Sequence, residues 1–239
     1  MSNKVIFALA IIGIIGSCAS CSSSHSKVKG SGNLTTWEKA APAFEKISVS
    51  SSAEVRFHKS QEYRVVVIVD ENLEDYVVVE TINNVLHVRQ KGERIRFTKF
   101  SIDVYAPALS GVSMSGSGRF ENIDKLTAQR FESTISGSGR MYLNIECENF
   151  SGTISGSGKI EARGKSAIAE IRISGSGGFN GEEFSIKSVN VRVSGSGNTN
   201  VNVSETLTAR ASGSGRINYS GEPESVDSSV SGSGQIRKI

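Results

Sequence analysis

Basic side chains recur at one position after a repeated motif in the second half of the chain. The motif is Ser-Gly-Ser-Gly, and its seven copies begin at Ser115, Ser136, Ser155, Ser174, Ser194, Ser212 and Ser231. Four residues after the first serine, the first three copies carry Arg119, Arg140 and Lys159. Guanidinium and ammonium groups beside hydroxyls can bind the acidic groups of a glycan or the surface of a protein partner.

The candidate surface-binding column therefore combines these three cations with the serines of the first three motifs. Those serines are Ser115, Ser117, Ser136, Ser138, Ser155 and Ser157. Glu121 and Glu161, two residues beyond the first and third cations, would offset the repulsion between stacked positive charges. The alternative interpretation is a charged face that only keeps the protein soluble.

Catalysis would require clustered acids or a nucleophile beside a base, and the repeats offer neither. Their two aspartates, Asp124 and Asp227, lie five repeats apart, or about 24 Å if each repeat advances by one strand spacing. The adjacent Glu182 and Glu183 would point to opposite faces of a strand. The histidines lie outside the repeats, and nothing marks one serine as a nucleophile. We expect no catalytic residues and no cofactor.

Metal binding is also disfavoured. Calcium-binding β-rolls place an aspartate in their glycine motif, and here that motif contains only serine. An acidic cluster at Asp70, Glu71, Glu74 and Asp75 could hold a cation, but an exposed turn is the favoured interpretation. We therefore predict no metal site.

The spacing of the motifs indicates the fold that positions these residues. Successive motifs are separated by 21, 19, 19, 20, 18 and 19 residues. A constant period near 19 residues is typical of a solenoid in which each repeat forms one turn. We expect an all-β, right-handed parallel β-helix with about 19 residues per turn, because parallel crossovers favour that hand.

The alternation of residue types predicts which side chains face the core. Residues one, three and five before the first serine, and five after it, are mostly apolar or small, and odd offsets share one face of a strand. Both glycines of the motif fall on the inward face and both serines on the outward face. Cys147 has an odd offset, so we expect a buried thiol rather than a reactive one.

The N-terminal region reads as an export signal. Lys4 precedes the apolar run 5–15, and the segment Ile15-Gly16-Ser17-Cys18 resembles a bacterial lipobox. We predict a signal peptide over 1–17, lipidation at Cys18 with Cys21 as the alternative, and a serine-rich tether and lead-in over 18–43. Residue 19 is not aspartate, which by the lipoprotein sorting pattern predicts an outer-membrane location.

The remaining chain divides into an N-terminal β part over 44–114 and the repeats over 115–239. Alternating runs such as 47–49, 55–57 and 102–105 predict strands in the first part. The net charge of the full sequence is only +3, with no clustered basic face, so we expect no nucleic-acid partner.

The chain resembles the bacterial head GIN domain family of auto-transporter adhesin-like proteins. The likeness rests on the Gly-Ser-Gly turns and on the segments 44–49, 53–57, 70–73, 85–88 and 104–109. The resemblance implies a β-helix of pectin-lyase-like architecture, an exported or lipid-anchored location and an adhesion role. It carries no catalytic residues.

These observations predict a non-catalytic, lipid-anchored cell-envelope protein that binds a glycan or another cell-surface partner. One alternative is an enzyme that acts on polysaccharides. Another is a structural envelope scaffold whose function is homo-oligomerisation, because an uncovered last turn of a solenoid exposes strand edges.

Overall fold

The computed structural model describes residues 28–92 and 94–239. The signal peptide, Cys18, Cys21 and the serine-rich part of the tether lie outside these residues. Within them the chain is nearly all strand and forms a β-solenoid of about seven turns with about 19 residues per turn, as predicted.

Nine strands and one short helix form the N-terminal part. The helix is a 3-10 helix over Glu71–Tyr76, and it contains Glu71, Glu74 and Asp75 of the acidic cluster. The strands are β1 (Val28–Lys29), β2 (Leu34–Ala40), β3 (Lys46–Ser50), β4 (Glu54–Lys59), β5 (Arg64–Asp70), β6 (Val77–Ile82), β7 (Val85–Gln90), β8 (Ile95–Arg96) and β9 (Phe100–Ala106).

Ten further strands form the repeats, and they are interrupted mainly at the serine–glycine motifs. They are β10 (Gly111–Met114), β11 (Arg119–Asn122), β12 (Leu126–Gly137), β13 (Arg140–Gly156), β14 (Lys159–Gly175), β15 (Gly178–Gly195), β16 (Asn198–Gly213), β17 (Arg216–Ser220), β18 (Ser225–Gly232) and β19 (Gln235–Lys238). We call one turn of the coil a rung and each motif a corner.

Successive rungs pair in parallel with like residue on like residue. Ser136 pairs with Ser155, which pairs with Ser174, and the pairing continues through every later corner. The inward positions form one continuous core, and the residue before the corner is buried in each rung from Met114 to Ala211. Burial of these apolar columns against one another stabilises a coil that has no other core.

The N-terminal part continues the same sheets, but its rungs do not stack in chain order. Strands β3 and β4 pair with β10 and β11 on one side and with β7 and β9 on the other. Strand β6 then pairs antiparallel with β7, and β5 and β2 extend the sheet antiparallel from β9. These antiparallel strands close the N-terminal end of the solenoid.

The opposite end of the described chain is open. Strand β18 pairs only with β16, and β19 only with β17. Val226 and Val230, which occupy inward positions, are 43% and 44% exposed. The last rung therefore presents unpaired backbone groups and apolar side chains to solvent.

Candidate functional site

The two glycines of each corner have different roles. The first glycine takes a positive φ, such as 114° at Gly156, where a Cβ would lie 2.8 Å from the carbonyl oxygen of Gly137 in the preceding rung. The second glycine, such as Gly158, is buried, and its Cβ would lie 2.4 Å from Cγ2 of Ile135. The prediction that both glycines face inward is thus wrong for the first, which turns the corner and is partly exposed.

The serines form an exposed ridge along the coil. Both serines of every motif are exposed, from Ser115 to Ser233, as their even offsets predicted. The first serines stack in register from Ser136 to Ser231. The ridge therefore presents regularly spaced hydroxyls, about 4.8 Å apart from rung to rung.

The predicted cations lie in register beside this ridge. Arg119 pairs with Arg140, and Arg140 pairs with Lys159. We call these three residues the basic column. Gly178 and Asn198 continue the same position in the next two rungs without charge, so the column ends after three rungs.

The members of the basic column differ in how they are neutralised. Arg119 lies 3.2 Å from Glu121 Oε2, and its guanidinium lies 4.1 Å from the centre of the Tyr142 ring. Arg140 and Lys159 are exposed and make no ion pair within residues 28–92 and 94–239. The expected neutralisation by glutamate therefore occurs for Arg119 only, and the second and third cations remain available to an anionic partner.

A second set of stacked cations was not anticipated from the sequence. Arg172, Arg192 and Arg210 lie in register on three neighbouring strands, on the other side of the serine ridge. Their positions are two residues before the corner serine, whereas the predicted cations lie four residues after it. Counting backwards from each motif would have revealed them.

The remaining catalytic candidate is a histidine paired with an aspartate in the N-terminal part. His58 Nε2 lies 2.8 Å from Asp103 Oδ1, and Arg56 donates two hydrogen bonds to the same carboxylate at 2.8 and 2.6 Å. The His58 ring also stacks on Tyr105 at 4.7 Å. No serine hydroxyl contacts His58 among the residues described, so this pair lacks the nucleophile that a triad requires.

Asp103 is held in its charged form by this arrangement. Burial alone would raise the pKa of Asp103, but the hydrogen bonds from Arg56 and His58 lower the pKa below its usual value. The carboxylate of Asp103 and the guanidinium of Arg56 form an ion pair that joins β9 to β4.

The acidic cluster divides into one buried carboxylate and three exposed ones. Asp70 is fully buried, and it accepts the backbone N–H of Gly32 at 2.9 Å and that of Thr98 at 2.7 Å. Burial raises the pKa of Asp70, but the hydrogen bonds from Thr98, Gly32 and Lys99 lower it by more. Within the described residues no three metal-ligating side chains come together.

Cys147 is half-buried, and its Sγ lies 3.6 Å from Ser166 Oγ. Burial raises the pKa of the Cys147 thiol, which keeps it protonated near neutral pH. The prediction of an unreactive thiol agrees with this environment, although the side chain is less buried than expected.

The described chain includes no helix that is both long and apolar enough to span a bilayer.

A comparison with family models matched residues 43–223 to a family described as "Putative auto-transporter adhesin, head GIN domain". A comparison with curated proteins found no match.

Three solved structures share this fold over nearly the whole chain. A protein described as a putative lipid binding protein from Parabacteroides distasonis is 26% identical, with a TM-score of 0.77 over 90% of this chain and 100% of that one. A putative adhesin from Bacteroides fragilis is 23% identical, with a TM-score of 0.81 over 89% and 100% of the two chains. A putative adhesin from Parabacteroides merdae is 24% identical, with a TM-score of 0.72 over 89% and 98%.

Proposed function

Because this chain belongs to the head GIN domain family of putative auto-transporter adhesins, we propose that it is an exported envelope protein that binds a partner and catalyses no reaction. The observation that carries this proposal is the serine ridge with the basic column beside it. Hydroxyls and cations repeat there at one strand spacing. Such a surface recognises repeated polar groups by contact rather than by reaction.

The ligand surface in this proposal is the basic column together with Ser115, Ser117, Ser136, Ser138, Ser155 and Ser157. Arg140 and Lys159 supply charge and make no ion pair in the described part of the chain, and the serines supply hydrogen-bond donors and acceptors. The expected partner is a glycan or an envelope protein on a cell surface.

The binding test uses the full-length protein without its signal, applied to bacterial and host cells and to a broad glycan array. We expect saturable binding to at least one of them. The matched variant is R119N/R140N/K159N, which removes the charges of the basic column. Asparagine is suitable because Asn198 occupies the equivalent position in a later rung. Absence of binding by the unmodified protein to all cells, glycans and envelope extracts would overturn the proposed function.

The anchor in this proposal is a lipid on Cys18, with the serine-rich tether joining it to the solenoid and the outer membrane as its destination. Metabolic labelling with a fatty-acid analogue tests it, with Cys18→Ala and Cys21→Ala as the paired variants. We expect loss of the label and release from the membrane fraction for Cys18→Ala only. Loss of label in Cys21→Ala alone would move the anchor to the alternative cysteine.

A structural scaffold is the second candidate function, and the open last rung favours it. Strands β18 and β19 present unpaired edges, which a second copy of the chain could cover by edge pairing. Light scattering of the purified protein distinguishes the two: a monomer at high concentration would argue against the scaffold and leave the binding role unaffected.

A further inference from the structure

We propose that the three stacked arginines Arg172, Arg192 and Arg210 form a binding groove for a linear anionic polysaccharide. This inference rests on the proposed binding function and adds a second site, with its own ligand class, to the basic column. We call the site the arginine groove; besides the arginines it contains Ser174, Ser194 and Ser212 from the serine ridge.

The shape of the arginine groove favours an extended ligand. Its volume is about 530 Å³, and its walls are formed by five successive rungs. Five rungs span four strand spacings, or about 19 Å along the solenoid axis. A compact headgroup would contact one or two rungs, whereas a linear chain lying along the axis contacts all of them.

The charges in the groove favour an anionic ligand. Glu170 lies 2.5 Å from Arg172 Nη2 and 3.7 Å from Arg192 Nη1, so one carboxylate is shared by two guanidinium groups. Asp227 pairs with Arg210 at 2.5 Å. Three cations therefore face two carboxylates, and an additional anion would relieve the repulsion between neighbouring arginines.

Arg192 is the member that is most available to a ligand. Its only ion pair in the described part of the chain is the long contact with Glu170, and its side chain is 53% exposed. A guanidinium has five N–H donors in a planar fork, which matches a carboxylate or sulfate in a bidentate arrangement. Arg192 also lies between the other two, at the centre of the groove.

The neutral surface between the charges suits a sugar chain better than an acidic peptide. The exposed hydroxyls of Ser174, Ser194 and Ser212 form a row that can exchange hydrogen bonds with sugar hydroxyls. The aliphatic stems of the arginines provide apolar contact for the C–H faces of sugar rings. Cations, hydroxyls and apolar stems repeat together along the axis. A uronic acid polymer likewise repeats carboxylates, hydroxyls and the C–H faces of its rings.

The test measures binding of the purified protein to polygalacturonate by titration calorimetry at low salt. Dextran sulfate, neutral dextran and poly-glutamate serve as comparison ligands. We expect salt-sensitive binding to polygalacturonate, no binding to neutral dextran, and weaker binding to poly-glutamate. Binding of poly-glutamate as tight as that of the polysaccharide would overturn the ligand class.

The variant R172T/R192T/R210T removes the groove, and threonine is suitable because Thr153 occupies the same column in the preceding rung. We expect affinity for polygalacturonate to fall about tenfold, because three exposed charge contacts each contribute a few-fold. The variant K59N/K91N/R130N removes the same charge at exposed positions outside both proposed binding surfaces and should change affinity by less than about twofold. If the triple groove variant does not fold, the single Arg192→Thr change replaces it, with an expected loss of about threefold.

Equal losses in the two triple variants, or no loss in the groove variant, would overturn the arginine groove. Failure of the unmodified protein to bind any polyanion would also overturn it. The proposed binding function would survive both results, because it is judged by binding to cells and envelope extracts rather than to this polymer.

Discussion

Gly30 lies against the carboxylate of Asp70, and a Cβ at Gly30 would be only 2.2 Å from Asp70 Oδ2. The backbone N–H of Gly30 donates to the carbonyl of Arg96 at 2.8 Å, and Asp70 accepts the N–H groups of Gly32 and Thr98. A buried carboxylate thus joins the segments around β1, β5 and β8 at the closed end of the solenoid. Its surroundings leave no room for a side chain on the glycine.

We expect Gly30→Ala to destabilise the protein by about 1–3 kcal/mol, because the methyl group must displace Asp70 from its hydrogen bonds. The free energy of unfolding in urea measures this effect. Gly178→Ala is the control: its φ is not positive, and its nearest non-neighbouring atom would be 3.4 Å away. Equal stability of the two variants would show that the contact at Gly30 is not restrictive.

The pH dependence of stability should contain a contribution from Asp70. Its folded pKa is lowered, so its carboxylate contributes full stability above its unfolded pKa of about 3.9, and this contribution is lost as the pH falls through the folded pKa. We expect Asp70→Asn to cost about 1–3 kcal/mol at pH 7 and to flatten the acid limb of the stability curve.

The control for this pH experiment is Asp75→Asn, which changes an exposed carboxylate on the neighbouring 3-10 helix. Unfolding by urea at several pH values from neutral to about 3 gives the two curves. Asp103 also has a lowered pKa, so some acid sensitivity should persist in Asp70→Asn. An acid limb as steep as in the unmodified protein would contradict the role of Asp70.

The positive-φ glycines of the repeat corners should not tolerate a side chain. We expect Gly156→Ala to cost about 1–3 kcal/mol, because a φ of 114° strains an L-residue and the Cβ meets the carbonyl oxygen of Gly137. Ser157→Ala, one residue later on the exposed ridge, should change stability by less than about 0.5 kcal/mol. Thermal unfolding of both proteins checks the difference, and a neutral Gly156→Ala would refute the corner geometry.

The aromatic stack in the middle rungs should be the most sensitive part of the core. The ring centre of Phe150 lies 5.1 Å from that of Phe184, 5.9 Å from that of Phe179 and 6.5 Å from that of Phe131. We expect Phe150→Ala to cost about 3–5 kcal/mol. Ile168→Ala, at a position that is 56% exposed, should cost less than about 1 kcal/mol by the same denaturation measurement. A similar loss in both would mean that Phe150 contributes little packing.

The repeats could be predicted from the sequence because each corner carries its own marker. The corner between β3 and β4 escaped detection, although Ser50 to Ala53 align with Ser115 to Gly118 in the pairing register. There Ser51 and Ala53 replace the glycines, so only the apolar residues Ile47, Val49 and Val55 preserve the pattern. The alternation of these apolar residues along the chain would have identified the corner between β3 and β4.

The polar contacts that connect distant segments could not be predicted. Asp70 meets Thr98, and His58 meets Asp103, only because β4, β5 and β9 become neighbours in a stacking order that differs from chain order. The arginine groove was hidden for another reason. Arg172, Arg192 and Arg210 are separated by 20 and 18 residues, as their motifs are, so they align once charges are sought before each motif as well as after it.

Strands β3 and β4 lie between two rungs that are synthesised after them, so the rungs cannot assemble in the order in which they are synthesised. Strand β3 has no parallel neighbour until β7 emerges, and β4 has none until β9 emerges. The second neighbour of β4 is β11, which is complete only at residue 122. A chain that leaves a ribosome or an export channel from its N-terminus therefore cannot complete these two rungs until about half of it is available. Each later rung pairs with a rung that is already present, so shortening at a late corner should leave a shorter folded coil, whereas shortening before residue 119 leaves β4 without β11.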